Sequence, residues 1–212
     1  MKISKNTPIL GLKRVISRLF DVKLDDFDLD KYHPKLPLAL KELYAIDAFY
    51  AKHDCAFETI RFFANQYRLV PYQDLKLEES PFTFVKENQS NWFCQTDLDV
   101  QKIYFYDRIE PHKSRFLPHS MGAFLTTFAL QEIGFNLKFY FGFEYENIDE
   151  IKAFFKKVEP LWLDKNYIYG ATHSYYLVDD DCLVMFAGMY VFATNNEAKF
   201  EHYKSVLAHY TF

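Results

Sequence analysis

The chain has 212 residues, of which half are hydrophobic and 19% are aromatic, and its formal net charge is -4. This composition supplies enough apolar side chains for a sizeable core, and the length fits either one large domain or two small ones. Mild acidity and the lack of any lysine or arginine run disfavour nucleic-acid binding, which requires a basic surface that displaces counterions.

The N-terminal half predicts two helices and then a series of short strands. Apolar residues at helical spacing predict a first helix around Leu12 to Leu19, and the acidic segment 21–30 is expected to be a loop. A second helix is expected to begin after Pro34 and to end near Tyr50. A short strand is expected at Tyr67–Val70. Three further strands separated by short breaks predict an antiparallel meander: Phe82–Lys86, Trp92–Thr96 and Ile103–Tyr106.

The C-terminal half predicts a further mixture of helices and strands. A loop is expected over Pro111–Pro118, and capping boxes at Asn147 with Glu150 and at Thr194 with Glu197 predict two helix starts. The predicted helices are Met121–Glu132, Ile151–Val158 and a last one through Phe200, Tyr203 and Leu207. The predicted strands are Leu137–Phe143, Ser174–Val178, Cys182–Phe186 and Met189–Ala193, with a turn at Asp179–Asp181.

The order of these elements predicts an α+β fold. The sequence has no fixed repeat, no low-complexity stretch and no Gly/Ser-rich linker. We therefore expect a single domain over residues 1–212, built from an antiparallel or mixed β-sheet that is covered by helices.

The cysteines and the N-terminus indicate where the protein resides. Cys55, Cys94 and Cys182 are an odd number without close pairing, which fits a reducing compartment better than a disulfide framework. Lys13 and Arg14 interrupt the apolar stretch near the N-terminus, so it predicts neither a signal peptide nor a membrane span. We expect a cytoplasmic protein that does not bind membranes.

Motifs for cofactor chemistry are missing from the sequence. It contains no G-x-G-x-x-G, G-x-x-x-x-G-K, G-x-S-x-G or H-E-x-x-H pattern, which disfavours nucleotide-dependent chemistry of those types, and we predict no cofactor. His53-Asp54-Cys55 unites three ligand types, but adjacent residues seldom converge on one ion, and ordinary loop chemistry is the favoured interpretation. His202 and His209 would share a helix face only if the last helix persisted that far.

The carboxylates near the meander have two interpretations. Glu87 ends one strand, and Asp97 or Asp99 follows its neighbour, so an acid–base pair is one interpretation. The favoured alternative is that Glu87 binds backbone groups of the turn. Cys94 lies in the middle of a strand and is expected to be a buried, inert thiol.

Several short motifs resemble the SUKH superfamily in order and spacing over about residues 30–135. They are Leu36-Pro37-x-x-Leu40-x-x-Leu43-Tyr44, Leu69-x-Pro71-x-x-Asp74-Leu75, and Phe82-x-Phe84-x-x-Glu87-Asn88-Gln89 followed by Trp92 and Asp97. The superfamily includes a fungal regulator of cell-wall synthesis and bacterial immunity proteins that neutralise toxins. Ser90 stands where the family commonly has glycine, and we expect a turn there that does not demand positive φ.

The resemblance implies a protein-binding module and supplies no catalytic residues. An immunity protein would occlude a toxin's active site, and acidic residues would speed its association with a basic nuclease. The positions that the resemblance nominates for partner binding are Glu87, Gln89, Trp92 and Tyr104, with Asp97 and Asp99 as exposed contacts. A cytoplasmic regulatory scaffold of the same fold is the second hypothesis, and an enzyme with an unrecognised pocket is the third.

Overall fold

The computed structural model describes residues 1–24, 27–53, 62–144, 148–155, 158–187 and 190–211. Within these residues it confirms the α+β class. The α-helices are α1 (Pro8–Phe20), α2 (Leu38–His53), α3 (Met121–Asn136), α4 (Ile148–Phe154) and α5 (Glu197–Val206). The strands are β1 (Tyr67–Leu69), β2 (Phe82–Glu87), β3 (Trp92–Thr96), β4 (Tyr104–Asp107), β5 (Arg115–Phe116), β6 (Phe139–Gly142), β7 (Trp162–Asp164), β8 (His173–Val178), β9 (Cys182–Phe186) and β10 (Tyr190–Thr194).

The strands form two separate five-stranded sheets instead of the one sheet that was expected. The first sheet has the order β1-β2-β3-β4-β5 and the second has the order β6-β10-β9-β8-β7. Residue contacts divide the chain into two compact units, Leu24–Glu132 around the first sheet and Met1–Lys23 with Ile133–Phe212 around the second. That residues 1–212 form a single domain stays a prediction.

The unit of the first sheet confirms the antiparallel meander, because β1 to β5 pair in sequence order and every pair is antiparallel. Helix α3 packs on one face of this sheet, where the Phe84 and Phe124 rings meet edge to face with centroids 5.8 Å apart. The Asp47 side chain fixes the approach to β1, since its Oδ1 accepts the N–H groups of Phe62 (3.1 Å) and Phe63 (3.2 Å).

In the unit of the second sheet, the first helix and the C-terminal strands lie where the sequence predicts them. Leu12, Val15, Ile16 and Leu19 of α1 are all buried. The β8–β9 turn falls at Asp179–Asp181, where Asp179 (φ 49°) and Asp180 (φ 68°) adopt the left-handed backbone that aspartate tolerates. The sheet's core is a cluster of buried side chains that includes Phe141, Phe143, Ile151, Phe155, Val184, Phe186, Phe192, Tyr203 and Leu207.

Several expected boundaries are wrong. The segment Pro111–Pro118 is not a plain loop, because Arg115 and Phe116 pair with β4 as β5. Sequence reasoning missed β7, whose three residues are too short to show an alternation. The Thr194 capping box is also wrong, since Asn196 caps α5 by accepting the Lys199 N–H at 3.2 Å. Asn147 of the other predicted box lies outside the described residues.

Candidate functional site

The solvent-facing side of the first sheet carries two rows of side chains that cross its strands. Successive residues of a strand point to opposite faces, and directly paired residues point to the same face. The buried side chains Phe82, Phe84, Cys94 and Phe105 therefore define the core face. The opposite side, here called the outer face, carries the rows Arg68–Lys86–Phe93–Tyr106 and Thr83–Gln95–Tyr104–Phe116.

Aromatic rings dominate these rows and remain partly exposed. The Phe93 and Tyr106 rings stack with centroids 4.8 Å apart and planes 23° apart. The Tyr104 and Phe116 rings meet edge to face at 5.0 Å. Phe116 has an exposed fraction of 64%, which is high for a phenylalanine on a sheet. A group of partly exposed rings on one face of a sheet is typical of a surface that contacts another molecule.

A cleft of about 360 Å³ opens at the end of the outer face beside Tyr104 and Phe116. Its other lining residues come from the segment before β2, the end of β3 and the β3–β4 connection: Ser80, Pro81, Gln95, Thr96, Asp97 and Lys102. The cleft gives the flat aromatic rows a concave border.

The charged groups of this region differ in the hydrogen bonds that they make. Arg68, Lys86 and Lys102 have no ion pair or side-chain hydrogen bond within the described part of the chain. The Asp97 carboxylate, in contrast, accepts the N–H groups of Asp99 (2.9 Å), Val100 and Gln101 (3.4 Å). It therefore serves the β3–β4 connection as a local backbone cap.

The nominated residues Glu87 and Gln89 belong to the β2–β3 turn. Glu87 Oε2 accepts the N–H groups of Gln89 (3.0 Å) and Asn91 (3.1 Å), which confirms the interpretation that this carboxylate binds turn backbone. Ser90 has φ 62°, so the expectation that the turn needs no positive φ is wrong. Gln89 is exposed, and its Oε1 accepts the Asn91 side-chain amide at 3.2 Å.

The structure does not bring all six nominated residues together. Glu87 and Gln89 lie at one end of β3, and Asp97 and Asp99 lie beyond the other end. Strand β3 has five residues, which corresponds to about 16 Å at the usual rise, so Glu87 and Asp97 do not form the acid–base pair considered above. Only Tyr104 and Asp97 border the same cleft.

The two remaining nominated residues have clear structural environments. Trp92 is buried, with an exposed fraction of 5%, and packs edge to face on Tyr67 with ring centroids 4.8 Å apart. Trp92 thus contributes to the core and does not present a surface to a partner. Asp99 is exposed, and its carboxylate pairs with Lys35 at 2.9 Å.

A buried carboxylate that sequence reasoning missed is Glu132 on α3. Its oxygens accept the N–H groups of Asn65 (2.7 Å) and Tyr67 (2.8 Å), which holds the start of β1. Burial raises the pKa of Glu132 to about 8, and the backbone N–H groups partly oppose this shift. The signal was available, because Glu132 follows Phe124 and Phe128 at four-residue spacing and so lies on the buried stripe of the helix.

The other chemically distinctive groups are buried. Burial raises the pKa of the Cys94 thiol well above its ordinary value, consistent with the inert thiol that was expected. Burial lowers the pKa of His173 to about 4, while Asp164 acts in the opposite direction.

Helix α5 ends at Val206, so His202 and His209 do not share one helix face.

Among the described residues, no group of three or more His, Cys, Asp or Glu side chains is arranged to hold a metal ion. The candidate His53-Asp54-Cys55 lies outside the side chains that the structure describes.

Comparisons with known proteins provide no relatives. Scans against protein-family models, characterised proteins and solved structures each returned no match. Within the described ranges, no helix is both long and apolar enough to cross a bilayer.

Proposed function

We propose that this chain is a non-enzymatic protein-binding module, an immunity protein of the SUKH type that neutralises a toxin domain by occluding it. The observation that carries the proposal is the set of four partly exposed rings, Phe93, Tyr104, Tyr106 and Phe116, on the outer face. Tyrosine and other aromatic side chains are enriched among the residues that contribute most binding energy at protein interfaces.

The arrangement of the outer face supports binding over catalysis. Its rings are held by stacking and edge contacts on a regular sheet, so they lose little conformational entropy when a partner docks. The Asp97 carboxylate beside the cleft is occupied by backbone N–H groups, and Glu132 is likewise occupied within the core. The rigid rings offer contact area, whereas catalysis needs an acid or base that is free to exchange protons with a substrate.

The cellular location follows the same proposal. We place the protein in the cytoplasm, where a toxin-neutralising protein meets a toxin that acts on internal targets. Cys94 and Cys182 are free and buried, and free thiols are usual in a reducing compartment.

The proposal is tested by site-specific photo-crosslinking in the native host. A photoreactive phenylalanine analogue replaces Phe116 in one variant and Tyr140 in a matched control. Tyr140 lies on β6 of the second sheet and has an exposed fraction of 57%. We expect a discrete adduct with one protein from position 116 and none of that adduct from position 140.

The crosslinked protein is then expressed with and without the wild-type chain. We expect it to arrest growth when expressed alone and to be harmless when both are present. A partner that is not toxic would favour the regulatory scaffold, and the absence of any specific adduct from position 116 would contradict the binding function.

A further inference from the structure

We infer that the outer face recognises an acidic segment of its protein partner, with Arg68, Lys86 and Lys102 pairing with that segment's carboxylates. The inference rests on the proposed binding function and adds the sign of the partner's charge. It reverses the expectation of a basic toxin surface, which came from the resemblance to immunity proteins and from the acidic residues of the chain.

Two of the cations lie in the same row as the stacked rings. Arg68 and Lys86 are paired across β1 and β2, and Lys86 is paired with Phe93 across β2 and β3. One row thus runs from two cations to the stacked rings of Phe93 and Tyr106 without a carboxylate. An anionic partner that covers the rings also reaches both cations.

The third cation extends this charge to the cleft. Lys102 is exposed and lines the cleft together with Tyr104 and Phe116. Lys102, like Arg68 and Lys86, has no ion pair in the part of the chain that the structure describes. Each cation therefore keeps its full capacity for charge-assisted hydrogen bonds, which are stronger than neutral ones, and arginine binds a carboxylate through two of them.

The carboxylates of the region do not cancel the charge of Arg68 and Lys86. Asp97 lines the cleft with Lys102 and offsets charge there, outside the row that holds Arg68 and Lys86, and Asp99 is paired with Lys35. Glu87 is paired with Tyr67 on the side of the sheet that carries Trp92, and its Oε2 is bound to the β2–β3 turn. The charges that a partner meets on the rows themselves are positive.

The ring geometry favours an acidic protein over a single-stranded nucleic acid. A base binds by stacking on an open ring face. Phe93 and Tyr106 each cover one face of the other ring, and Tyr104 and Phe116 meet edge to face, so both pairs occupy ring surface on which a base would stack. Ring edges carry partial positive charge and attract carboxylates. The net charge of -4 also opposes general attraction of a polyanion as long as a nucleic acid.

The test uses the full chain and a random copolymer of glutamate and tyrosine as the probe. Binding is followed by fluorescence anisotropy of the labelled copolymer, with labelled polylysine and an oligothymidylate measured in parallel. We expect the copolymer to bind most tightly, and we expect its affinity to fall as the NaCl concentration rises.

Two double charge reversals assign the binding to the outer face. Arg68→Glu/Lys86→Glu should weaken copolymer binding by about tenfold or more. Lys2→Glu/Lys5→Glu makes the same charge change at exposed lysines of the other unit and should leave the affinity within about twofold. Circular dichroism of both variants checks that the fold is retained.

Three results would overturn the inference: failure of the wild-type chain to bind the copolymer, equal effects of the two double reversals, or tighter binding of polylysine or oligothymidylate. The result is separate from the proposed function. A crosslink from position 116 to a partner that binds Arg68→Glu/Lys86→Glu as tightly as the wild type would refute recognition of an acidic segment, and the binding function would stand. If position 116 yields no adduct, the binding function itself fails.

Discussion

Phe93 and Tyr106 face each other across β3 and β4 with their rings stacked at 4.8 Å, although both lie on the solvent side of the sheet. A pair of this kind stabilises the sheet and also presents apolar area to a partner. Its contribution to stability is measurable without any partner.

A double-mutant cycle with Phe93→Ala and Tyr106→Ala measures that contribution. We expect a coupling free energy of about 0.5–1.5 kcal/mol, because either single change already removes the stacking contact. Urea unfolding of the four proteins gives the free energies. Additive effects of the two changes would show that the rings do not stack in solution.

The pH dependence of stability is the second prediction, and it depends on Glu132. Its pKa in the folded chain is about 8, above its ordinary value of 4.5, so the folded state retains a proton that the unfolded state has lost. The free energy of unfolding should therefore fall as the pH rises from 4.5 to 8, with a slope of up to about 1.4 kcal/mol per pH unit.

His173 makes the opposite contribution at lower pH. Its pKa in the folded chain is about 4, below its ordinary value of 6.5, so between these values the unfolded state binds the extra proton and stability rises with pH. The two effects oppose each other below pH 6.5, and the fall due to Glu132 should emerge between pH 6.5 and 8.

Urea unfolding across that pH range, with Glu132→Gln as the variant, checks this account. The variant should lose the fall in stability above pH 6.5. It should also be less stable by about 1–3 kcal/mol at low pH, because its amide nitrogen replaces an oxygen that accepted a backbone N–H. A wild-type stability that stays constant or rises from pH 6.5 to 8 would be incompatible with the raised pKa of Glu132.

Gly134 on α3 provides a packing prediction. A Cβ atom at this position would lie 2.3 Å from Met185 Cε and 2.4 Å from its Sδ. The clashing atoms are the end of a flexible side chain that is itself buried, so overpacking should cost near the lower end of about 1–3 kcal/mol, and the gain in helix propensity returns at most about 1 kcal/mol. We expect Gly134→Ala to lower the thermal midpoint slightly.

The matched variants distinguish packing from helix propensity. Gly122→Ala lies in the first turns of the same helix and reports the effect of propensity. Adding Met185→Val to Gly134→Ala should restore much of the lost stability, since it removes the clashing end of the methionine. The contact would be refuted if the double variant lost more stability than the two single variants lose together.

Asn196 tests the corrected start of α5. Its side chain accepts the Lys199 N–H, so Asn196→Ala should destabilise the chain by about 1 kcal/mol. Glu197→Ala, which would break the capping box expected from sequence, should cost no more than about 0.5 kcal/mol. Chemical denaturation ranks the two variants, and the reverse order would restore the Thr194 box.

Most elements were predictable because their side-chain periods are strong. The alternation in β2 and β3 and the helical stripe of α1 follow directly from burial of one face. The β8–β9 turn was predictable because aspartate tolerates positive φ. Strand β5 was not, because its two residues acquire strand structure only by pairing with β4.

The outer face was only partly visible in the sequence. Alternation in β3 already separates Phe93 and Gln95 from the buried Trp92 and Cys94. The rows, however, depend on register, and β2 shifts its register at a bulge between Thr83 and Val85 that no local pattern reveals. For the same reason, only the folded chain shows which charged side chains near the rings have an ion pair or a hydrogen bond.

The most direct test of the central claim is the affinity of the crosslinked partner for variants of the outer face. Purified partner is titrated by calorimetry with the wild-type chain, Phe116→Ser and the control Tyr140→Ser. We predict that Phe116→Ser weakens binding by about tenfold or more while Tyr140→Ser binds like the wild type. Unchanged affinity for Phe116→Ser, or a loss confined to Tyr140→Ser, would contradict the assignment of the outer face as the binding surface.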